Sequence, residues 1–382
     1  MKTKTKKTRF RKALPPGCLA LIIIPVASTV ASIWLTKPDA DLPDERRLSW
    51  TRDLGAQPAS REGPREVTVP PPIASFVLPD LLSVEDAIEW EDGWILLDRR
   101  SGEVHFFDPD SGVTRSMGGE GPGPGELQDP VALAVVDSSL WVVNQRGLWL
   151  DRFSVGKGFA ARIRPRGGGC QVGLTKDLSI LPGGRLFVLR VCPSLLVGPG
   201  TAFLEEVSHD GLLKPFVALP LGTPGSRKLH ILRQPAVAAG RSQIFIGTWD
   251  TPCLAEIQQD GTASGHRCLP DVERPATREE DRAGLADRFR GITEIGFLPL
   301  EIPDHLPWYD RVFATSRGLV VRRIRGEEAR DLVLLPPEEG SSVAREVFPE
   351  NTYVGERTIL AVRDLPNGTQ VQVYPNPWHR ER

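Results

Sequence analysis

Residues 92–98 read DGWILLD: the turn pair Asp92-Gly93 is followed by a short apolar strand and a closing polar residue. This pattern of an apolar strand ended by a polar residue occurs six times. The closing residues are Asp98, Asn144, Arg190, Thr248, Arg322 and Arg363, at intervals of 46, 46, 58, 74 and 41 residues. Intervals of about 40–50 residues are typical of propeller blades with four strands each. The sequence therefore predicts an all-β, six-bladed β-propeller with four-stranded antiparallel blades.

Turn chemistry and composition favour the same fold. Pairs such as Asp210-Gly211 and Asn367-Gly368 lie between apolar strands and suit tight hairpin turns. The 382 residues include 37 glycines and 35 prolines, which suits many short strands. The 47 basic and 49 acidic residues give a net charge of -2, so no global field would attract nucleic acid.

The amino terminus has the pattern of an export segment. Seven Lys and Arg residues occur before residue 13 with no acid, and an apolar run from Cys18 to Leu35 follows. This arrangement predicts delivery of the rest of the chain to the periplasm or cell surface. The segment is either an uncleaved transmembrane anchor or a cleaved signal, and we expect it to be the chain's only contact with a membrane. The predicted organisation is 1–36 signal or anchor, 37–74 linker, 75–376 propeller and 377–382 tail.

Two features of the chain depart from six plain repeats. The last strand, near Val371–Tyr374, leaves the sixth blade without an outermost strand, so an earlier segment is expected to close the ring. Leu48–Arg52 and Glu66–Val69 are the two candidates. Between the fourth and fifth repeats, Pro275–Arg290 has the pattern of a helix that ends before Gly291, and it predicts a helical insertion between blades four and five.

Four of the five cysteines follow the apolar N-terminal run, and an even number in an oxidising compartment predicts disulfides. If Asp260-Gly261 is a two-residue hairpin loop, Cys253 lies directly opposite Cys268, with Cα atoms about 5.5 Å apart. Cys170 and Cys192 flank the two inner strands of the third repeat and form the second predicted pair. Metal binding by these cysteines is disfavoured, because none of them form a Cys-x-x-Cys motif.

The stretch Gly118-Gly-Glu-Gly-Pro-Gly-Pro-Gly-Glu126, followed by Pro130-Val-Ala-Leu-Ala-Val and Leu140-Trp-Val-Val-Asn144, resembles the repeat of NHL-type and TolB-like six-bladed propellers. The resemblance covers roughly residues 75–375 and implies an exported six-bladed ring. Relatives of this type bind proteins or glycans, or are metal-dependent hydrolases or lyases. The glycine-rich stretch does not fit a phosphate-binding loop, because Pro122 and Pro124 remove donors and a strand follows it. We expect the glycine-rich stretch to form a turn between two blades.

In a propeller, the loops that follow the second strands open on one face around the central funnel, where ligands usually bind. Arginine dominates these positions, and arginines hold carboxylates, phosphates or acidic glycans through bidentate contacts. The rival interpretation is that the arginines pair with Asp98, Asp250 and Asp364 and tie the blades together. The predicted ligand-binding residues are Arg99, Arg100, Asn144, Arg146, Arg190, Trp249, Asp250, Arg322 and Arg323.

No catalytic motif is present in the sequence: it has no Gly-x-Ser-x-Gly elbow and no His-Glu-x-x-His pair. The sequence favours a non-catalytic propeller outside the cytoplasm that binds a protein or an anionic small molecule or glycan, without cofactor, catalytic residues or metal. Two alternatives stay open. One is a metal-dependent hydrolase or lyase in which Asp98, Asn144, Asp250 and Asp364 converge, and the other is a structural component of the envelope.

Overall fold

The computed structural model of the chain describes residues 42–48, 65–170, 173–181, 183–192, 200–221, 229–230, 234–240, 242–269, 276–277, 279, 300–301, 304–305, 307–324, 330–336, 342–349 and 351–379. The predicted export segment and the predicted tail from residue 380 onward lie outside these ranges. So does the predicted helix at Pro275–Arg290, apart from three of its residues. Within the described ranges, no helix has the length and apolar character needed to cross a membrane.

The described strands are numbered in chain order. They are β1 (Arg65–Val67), β2 (Ala74–Leu78), β3 (Val84–Trp90), β4 (Gly93–Asp98), β5 (Glu103–Asp108), β6 (Gly112–Gly118), β7 (Ala132–Val136), β8 (Ser139–Asn144), β9 (Trp149–Ser154), β10 (Gly158–Ile163), β11 (Arg166–Gly167), β12 (Leu174–Leu181), β13 (Arg185–Cys192), β14 (Thr201–Val207), β15 (Leu212–Pro220), β16 (Leu229–His230), β17 (Pro235–Ala239), β18 (Ile244–Thr248), β19 (Cys253–Ile257), β20 (Ala263–Cys268), β21 (Leu300–Glu301), β22 (Tyr309–Thr315), β23 (Gly318–Ile324), β24 (Arg330–Leu335), β25 (Ser342–Phe348), β26 (Asn351–Val354), β27 (Thr358–Leu365) and β28 (Gly368–Pro375). Two 3₁₀ turns, Asp44–Arg46 and Gln145–Gly147, have described bounds.

All of these strands except β16 and β21, which form a separate parallel pair, belong to six blades, which confirms the predicted six-bladed propeller. Blades one, two and four are β3–β6, β7–β10 and β17–β20, each paired in sequence order. Blade three is β12–β15 with β11 added at its outer edge, and blade five is β22–β25 with β1 added in the same way. Blade six has the order β26-β27-β28-β2. The six apolar segments that defined the repeat are the second strands β4, β8, β13, β18, β23 and β27.

Apolar side chains fill every seam between neighbouring blades. At the first seam, Ile95 and Leu97 of blade one pack with Leu133 and Val142 of blade two, all four buried. The continuous apolar runs of the second strands follow from this packing, because both faces of each blade are covered. Burying one such side chain stabilises the fold by about 1.5–3 kcal/mol. The seams therefore hold the innermost strands in place around the central axis.

The ring is closed by β2, the outermost strand of the sixth blade. Ala74 lies opposite Val373 of β28, and Leu78 lies opposite Thr369. Neither predicted closing segment takes this place. β2 was not predicted, because its residues alternate between half-buried and exposed and it lacks the continuous apolar run that defines the repeat.

The two segments that were expected to close the ring contact other blades. Glu66 of β1 lies opposite Val343 in a parallel pair on blade five. Leu48 is buried against blade three, and its N–H donates to the carbonyl of Ala218 at 3.0 Å. The described parts of the interval that was expected to be a linker therefore pack on the propeller.

Both predicted disulfides are confirmed: Cys170 is bonded to Cys192, and Cys253 is bonded to Cys268. The Cα atoms of the first pair are 5.9 Å apart. Disulfides persist in oxidising compartments, so the two bridges support a location outside the cytoplasm.

The hairpin around the second disulfide differs from the prediction. The N–H of Gln258 donates to the carbonyl of Thr262 at 2.9 Å, so three residues form the loop and not the predicted two. Cys253 lies opposite Cys268, as expected, but the Cα atoms are 4.0 Å apart instead of about 5.5 Å. A bulge between Glu256 and Ile257 lies between the turn and the cysteines. Such a bulge adds one residue to a strand and so reverses the alternation of wide and narrow pairs. The predicted wide pair was wrong for this reason.

Candidate functional site

The innermost strands of the six blades, β3, β7, β12, β17, β22 and β26, surround a central channel of about 1620 Å³. Each innermost strand starts beside the end of the second strand, as Val84 lies opposite Asp98. The loops that follow the second strands therefore open at the same end of the channel as the loops that enter the innermost strands. This end, which we call the mouth, includes Arg99, Arg146 and Trp249 in the channel lining.

Three alternate blades carry a β-bulge at the same place in the innermost strand. The register shifts between Val84 and Asp86 in β3, between Thr175 and Asp177 in β12, and between Tyr309 and Arg311 in β22. The innermost strands β7, β17 and β26 of the other blades run in continuous register. Bulges re-aim side chains and are frequent beside functional sites.

The three residues that follow these bulges, Asp86, Asp177 and Arg311, all line the channel. We call them the channel charge cluster. Nη1 of Arg311 donates to Oδ1 of Asp86 at 2.5 Å, and Nη2 donates to the carbonyl of Glu85 at 2.6 Å. The guanidinium also lies 5.0 Å from the centre of the Tyr353 ring, a cation–π distance. Arg311 is therefore held from blade one and blade six at once.

Asp86 is fully satisfied by hydrogen bonds. Besides Arg311, its carboxylate accepts the backbone N–H of Ala87 at 3.0 Å and that of Leu133, in blade two, at 2.9 Å. Asp86 and Arg311 thus form a charge-neutral pair fixed to three blades.

Asp177 differs from Asp86 in its surroundings. Its carboxylate accepts the N–H of Leu178 at 2.8 Å, and no other hydrogen bond to it occurs among the described residues. Burial, and then the charge of Asp86, raise the pKa of Asp177 from its usual value of 3.8 to about 7, although Arg311 opposes the shift. A carboxyl with a pKa near 7 exchanges its proton at neutral pH. Such raised pKa values are unusual for aspartate and are concentrated at functional sites.

The mouth carries three cations on the side of blades one to three. Arg99 lies 3.4 Å from Glu85 and 3.5 Å from Asp129, and Nε of Arg146 donates to Asp129 at 2.9 Å. The hydrogen bond from Arg146 is the main reason that the pKa of Asp129 is lowered. The third cation, Lys176, is exposed and belongs to the channel lining. Arg99, Arg146 and Lys176 thus lie together at this side of the mouth, with the carboxylates of Glu85 and Asp129 beside the two arginines.

The backbone that presents Arg146 is in an unfavourable conformation. Gln145 and Arg146 have φ angles of 50° and 55°, in the left-handed region. For residues with a Cβ this conformation costs about 1–2 kcal/mol each. At the next residue, Gly147, a Cβ would lie 2.5 Å from the backbone nitrogen of Thr175 in β12, so glycine is required. The turn is therefore pressed against the start of β12, beside Lys176. Strain of this kind is concentrated at functional sites.

Four of the nine predicted ligand-binding residues line the channel, namely Arg99, Arg146, Trp249 and Arg322. The structure does not place the other five in the described lining, and these are Arg100, Asn144, Arg190, Asp250 and Arg323.

The buried arginines are engaged with carboxylates in their own blades. Arg190 lies 3.0 Å from Glu205, and both side chains are buried. Burial raises the pKa of Glu205, and Arg190 opposes that shift. Arg323 lies 2.6 Å from Asp331, which is also buried. These two arginines have their charge balanced inside the protein and are poorly placed to bind a ligand.

Arg322 lines the channel but is held in the same manner. It lies 2.6 Å from Asp310 and donates to the carbonyl of Thr352 in blade six at 2.9 Å. Arg330 lies 2.9 Å from the same carboxylate. Burial alone would raise the pKa of Asp310, but the two guanidinium groups outweigh it and the pKa is lowered. The rival interpretation, with arginines paired to carboxylates, describes these residues, although their partners are not the predicted Asp98, Asp250 and Asp364.

Asp98 and Asn144 have equivalent structural roles at the ends of their strands. Asp98 is buried and accepts backbone N–H groups of Leu82 at 2.6 Å and of Arg100 at 2.9 Å. Asn144 donates to Asp151 at 2.6 Å and accepts the N–H of Gln128 at 2.8 Å. Both side chains tie the loop that enters the blade to the loop that follows its second strand.

The remaining predicted residues lie outside the channel charge cluster. Asp250 accepts the hydroxyl of Thr248 at 2.8 Å, and Arg100 is exposed. Trp249 is half-buried, and its side chain packs against the apolar cluster between blades four and five. Its indole N–H is buried and has no hydrogen-bond partner among the described residues. Asp364, proposed with the metal alternative, is exposed.

The glycine-rich stretch Gly118–Glu126 connects β6 to β7, from blade one to blade two. Its backbone groups are used locally: the N–H of Leu127 donates to the carbonyl of Gly119 at 2.7 Å, and Nη2 of Arg162 donates to the carbonyl of Glu126 at 2.8 Å. This geometry is that of an interblade turn.

A divalent metal does not fit the residues of the channel charge cluster. Arg311 already occupies the carboxylate of Asp86, which leaves Asp177 as the one remaining carboxylate of the cluster. A divalent metal such as Ca²⁺ needs several oxygen ligands. Within the described parts of the chain, no group of three or more His, Cys, Asp or Glu residues is placed to hold a metal ion. The four residues of the metal alternative do not converge in the described channel lining.

No family model matches the chain, and no curated protein matches it. Among solved structures, the chain is similar to regucalcin, a calcium-binding protein from Agrobacterium tumefaciens, with 13% identity over 82% of this chain and 100% of that chain and a TM-score of 0.46. It is also similar to a gluconolactonase from Xanthomonas campestris, with 12% identity over 84% and 99% of the chains and a TM-score of 0.47. Streptogramin B lyase matches with 9% identity over 79% and 97% and a TM-score of 0.45.

Likeness at this level carries no argument about activity. The fold assignment is based on the sheet order, and the narrower resemblance to NHL-type and TolB-like repeats stays a prediction.

The channel charge cluster was not among the predicted sites, because its residues lie in the innermost strands and not at the ends of the second strands. A weak signal was present: each of the three bulged strands has two adjacent charged residues near its start, Glu85-Asp86, Lys176-Asp177 and Asp310-Arg311. Adjacent residues of a regular strand point to opposite faces. Two charges in succession at the start of an apolar strand therefore indicate either an exposed edge or a bulge.

Proposed function

We propose that this protein is a non-catalytic binding propeller that acts outside the cytoplasm and holds an anionic ligand at the mouth of its central channel. The observation that carries the proposal is the presentation of Arg146. Its side chain is 73% exposed, it stands on two consecutive residues with left-handed backbone, and it faces the channel.

The charges around Arg146 favour an anion. Arg99 and Arg146 share one carboxylate, Asp129, and Lys176 lies on the neighbouring innermost strand. Surface ion pairs of this kind are worth only about 0–1 kcal/mol each, so a ligand carboxylate or phosphate can replace one of them at little cost. A guanidinium binds such groups through two parallel hydrogen bonds. A small molecule or the acidic end of a glycan or protein suits this site.

The compartment and the membrane contact of this propeller also belong to the proposal. The two disulfides support an oxidising compartment. The basic residues followed by an apolar run before residue 36 support export, with the segment either kept as an anchor or removed. In both cases the propeller presents its channel outside the cytoplasm.

The test is a thermal-shift series on the full-length chain, purified in mild detergent, with acetate, phosphate, glucuronate and sialate at low salt. At ten times its dissociation constant, a bound anion should raise the melting temperature of a chain of this size by about 2 °C. Arg146→Ala should abolish the shift. The matched control is Arg317→Ala, an exposed arginine in the turn between β22 and β23, at the opposite end of the channel. The proposal fails if no anion shifts the melting temperature, or if Arg146→Ala binds as well as Arg317→Ala.

A hydrolase or lyase is the second candidate, and one observation favours it. Asp177, with a pKa of about 7, is suited to general acid or base catalysis at neutral pH. An enzyme of this kind would turn over ester, lactone or glycoside substrates with a pH profile that changes near pH 7 and is lost in Asp177→Asn. If the wild-type protein turns over none of these substrates, the enzyme candidate is rejected and the binding proposal remains.

A further inference from the structure

Asp177 is the channel carboxylate whose hydrogen bonding is least complete. Among the described lining residues, Glu85 accepts from Arg99, Asp86 from Arg311, and Asp310 from Arg322. Glu89 and Glu356 each accept a hydroxyl, from Thr358 and Ser316. Asp177 accepts only the N–H of Leu178, the next residue in its own strand. It is therefore available for a donor that enters the channel.

The same strand places a cation next to this acid. Lys176 is the extra residue of the bulge in β12, which has no partner in β13, and Asp177 follows it. Both residues belong to the channel lining, and successive strand residues are about 3.3 Å apart. The turn that carries Arg146 is pressed against the start of this strand at Thr175. An anion site and an acceptor for a cation are thus neighbours along one wall of the channel.

We propose that the channel ligand is a zwitterion of the amino acid or short-peptide class, with its ammonium group at Asp177 and its carboxylate at Lys176 and Arg146. This inference rests on the proposed function, since it assigns the anion at the mouth to the carboxylate of the ligand. It adds the ammonium site. The carboxylate of Asp177 would accept a hydrogen bond that the ammonium group otherwise donates to water. Hydrogen bonds between two charged groups are stronger than those between neutral groups.

The wall beyond the charge cluster is suited to an apolar side chain. The channel lining there includes Ala134, Ile180, Ala239 and Ala314, all small or aliphatic. A cavity of about 1620 Å³ exceeds the volume of a single amino acid and leaves room for a second residue. Amino acids and dipeptides with aliphatic side chains are therefore the probes of choice.

Ammonium binding needs the ionised form of Asp177, so the affinity should depend on pH. The charges that act on this carboxyl are those of Asp86 from β3 and Arg311 from β22. Two further cations are near it in the fold: Lys176 precedes it in its own strand, and Arg146 lies in the turn that contacts β12. The innermost strands on either side, β7 and β17, contain no charged residue. With the pKa of Asp177 at about 7, the ionised fraction, and with it the affinity, rises about tenfold between pH 6 and pH 8.

The experiment is calorimetric titration of the full-length chain with L-leucine, L-leucyl-L-leucine, N-acetyl-L-leucine and L-leucinamide. We expect leucine or its dipeptide to bind, with at least tenfold loss for the probe that lacks the ammonium group and for the probe that lacks the carboxylate. Asp177→Asn should reduce leucine binding at least tenfold, leave the weak binding of N-acetyl-L-leucine unchanged, and remove the pH dependence. The matched control is Asp110→Asn, an exposed carboxylate in the turn between β5 and β6.

The two proposals fail in different ways. If N-acetyl-L-leucine binds as tightly as leucine, and Arg146→Ala abolishes the binding of both, the ammonium site is wrong and the anion site stands. If leucine and its dipeptide do not bind while another anion does, the ligand class is wrong. If binding of leucine survives in Asp177→Asn with its pH dependence intact, the assignment to Asp177 is wrong.

Discussion

Arg311 of blade five donates a 2.5 Å hydrogen bond to Asp86 of blade one across the central channel. Blade six, which lies between these two in the ring, is tied to both of them: the hydroxyl of Tyr353 donates to the carbonyl of Val84 at 3.1 Å, and Arg322 donates to the carbonyl of Thr352. The blade that is completed by the N-terminal strand β2 is thus fastened at the channel as well as at its outer edge. The residues that form the candidate site also stabilise the closure of the ring.

Replacing Arg311 with methionine should destabilise the propeller strongly. The substitution leaves the buried carboxylate of Asp86 without its cation, and breaking a buried ion pair from one side costs about 3–5 kcal/mol. Urea unfolding at pH 7 followed by tryptophan fluorescence measures this loss. Adding Asp86→Asn to the variant should recover part of it, because the unpaired charge is then removed. A loss below about 1 kcal/mol for Arg311→Met would show that the pair is dispensable.

Asp177 should make the stability of the propeller decrease as pH rises. Its pKa is about 7 in the folded protein, against 3.8 for an ordinary aspartate, so the folded state keeps a proton that the unfolded chain has released. The stabilising effect of the protonated form is complete below about pH 4 and is lost as pH rises towards 7. Asp177→Asn should therefore be more stable than the wild type at pH 8, by about 4 kcal/mol, and nearly equal to it at pH 4.

The measurement is the free energy of unfolding in urea at several pH values between 4 and 8 for wild type, Asp177→Asn and the exposed control Asp110→Asn. If the free energies of unfolding of wild type and Asp177→Asn change in parallel between pH 4 and pH 8, the raised pKa of Asp177 is contradicted.

The second strands and the disulfides could be predicted from the sequence because their signals are local and additive. A run such as Trp94–Leu97 is buried on both faces, so it is apolar throughout, and Cys253 and Cys268 are placed by one turn between them. The channel charge cluster could not be predicted in this way, since Asp86 and Arg311 are 225 residues apart and meet only when the ring closes. Arg190, at the end of its strand, was predicted to bind a ligand for a related reason. Its partner Glu205 lies on the next strand, and the burial of Glu205 was not evident from its sequence neighbours.

The closing strand β2 should contribute to stability mainly through Phe76. Its ring packs against Phe107 of blade one with ring centres 5.5 Å apart, whereas the neighbouring Val77 is 46% exposed. Phe76 is half-buried, so Phe76→Ala should lower the free energy of unfolding by about 1.5–3 kcal/mol. Val77→Ala in the same strand should change it by less than about 0.5 kcal/mol. Equal effects of the two substitutions in chemical denaturation would mean that β2 does not hold the ring closed.

Arg190 should prove to be a structural residue and not a ligand-binding one. Its charge is balanced by Glu205, which also accepts the N–H of Gly169 at 2.5 Å. Arg190→Ala leaves a buried carboxylate without a cation and should cost about 3–5 kcal/mol in the free energy of unfolding at pH 7. The pKa of Glu205, already raised by burial, should rise further without Arg190, so the variant should regain stability relative to wild type as the pH falls and the carboxyl takes up a proton.

The matched control is Arg100→Ala, which removes an exposed arginine from the loop after β4 and should change stability by less than about 0.5 kcal/mol. Denaturation curves at pH 5 and pH 7 distinguish the two variants, and Arg190→Ala, Glu205→Gln should be more stable at pH 7 than Arg190→Ala. Anion binding supplies the second readout. The folded fraction of Arg190→Ala should bind the anion identified for the mouth with unchanged affinity. Loss of that affinity with stability intact would return Arg190 to the binding site and contradict its role as the partner of Glu205.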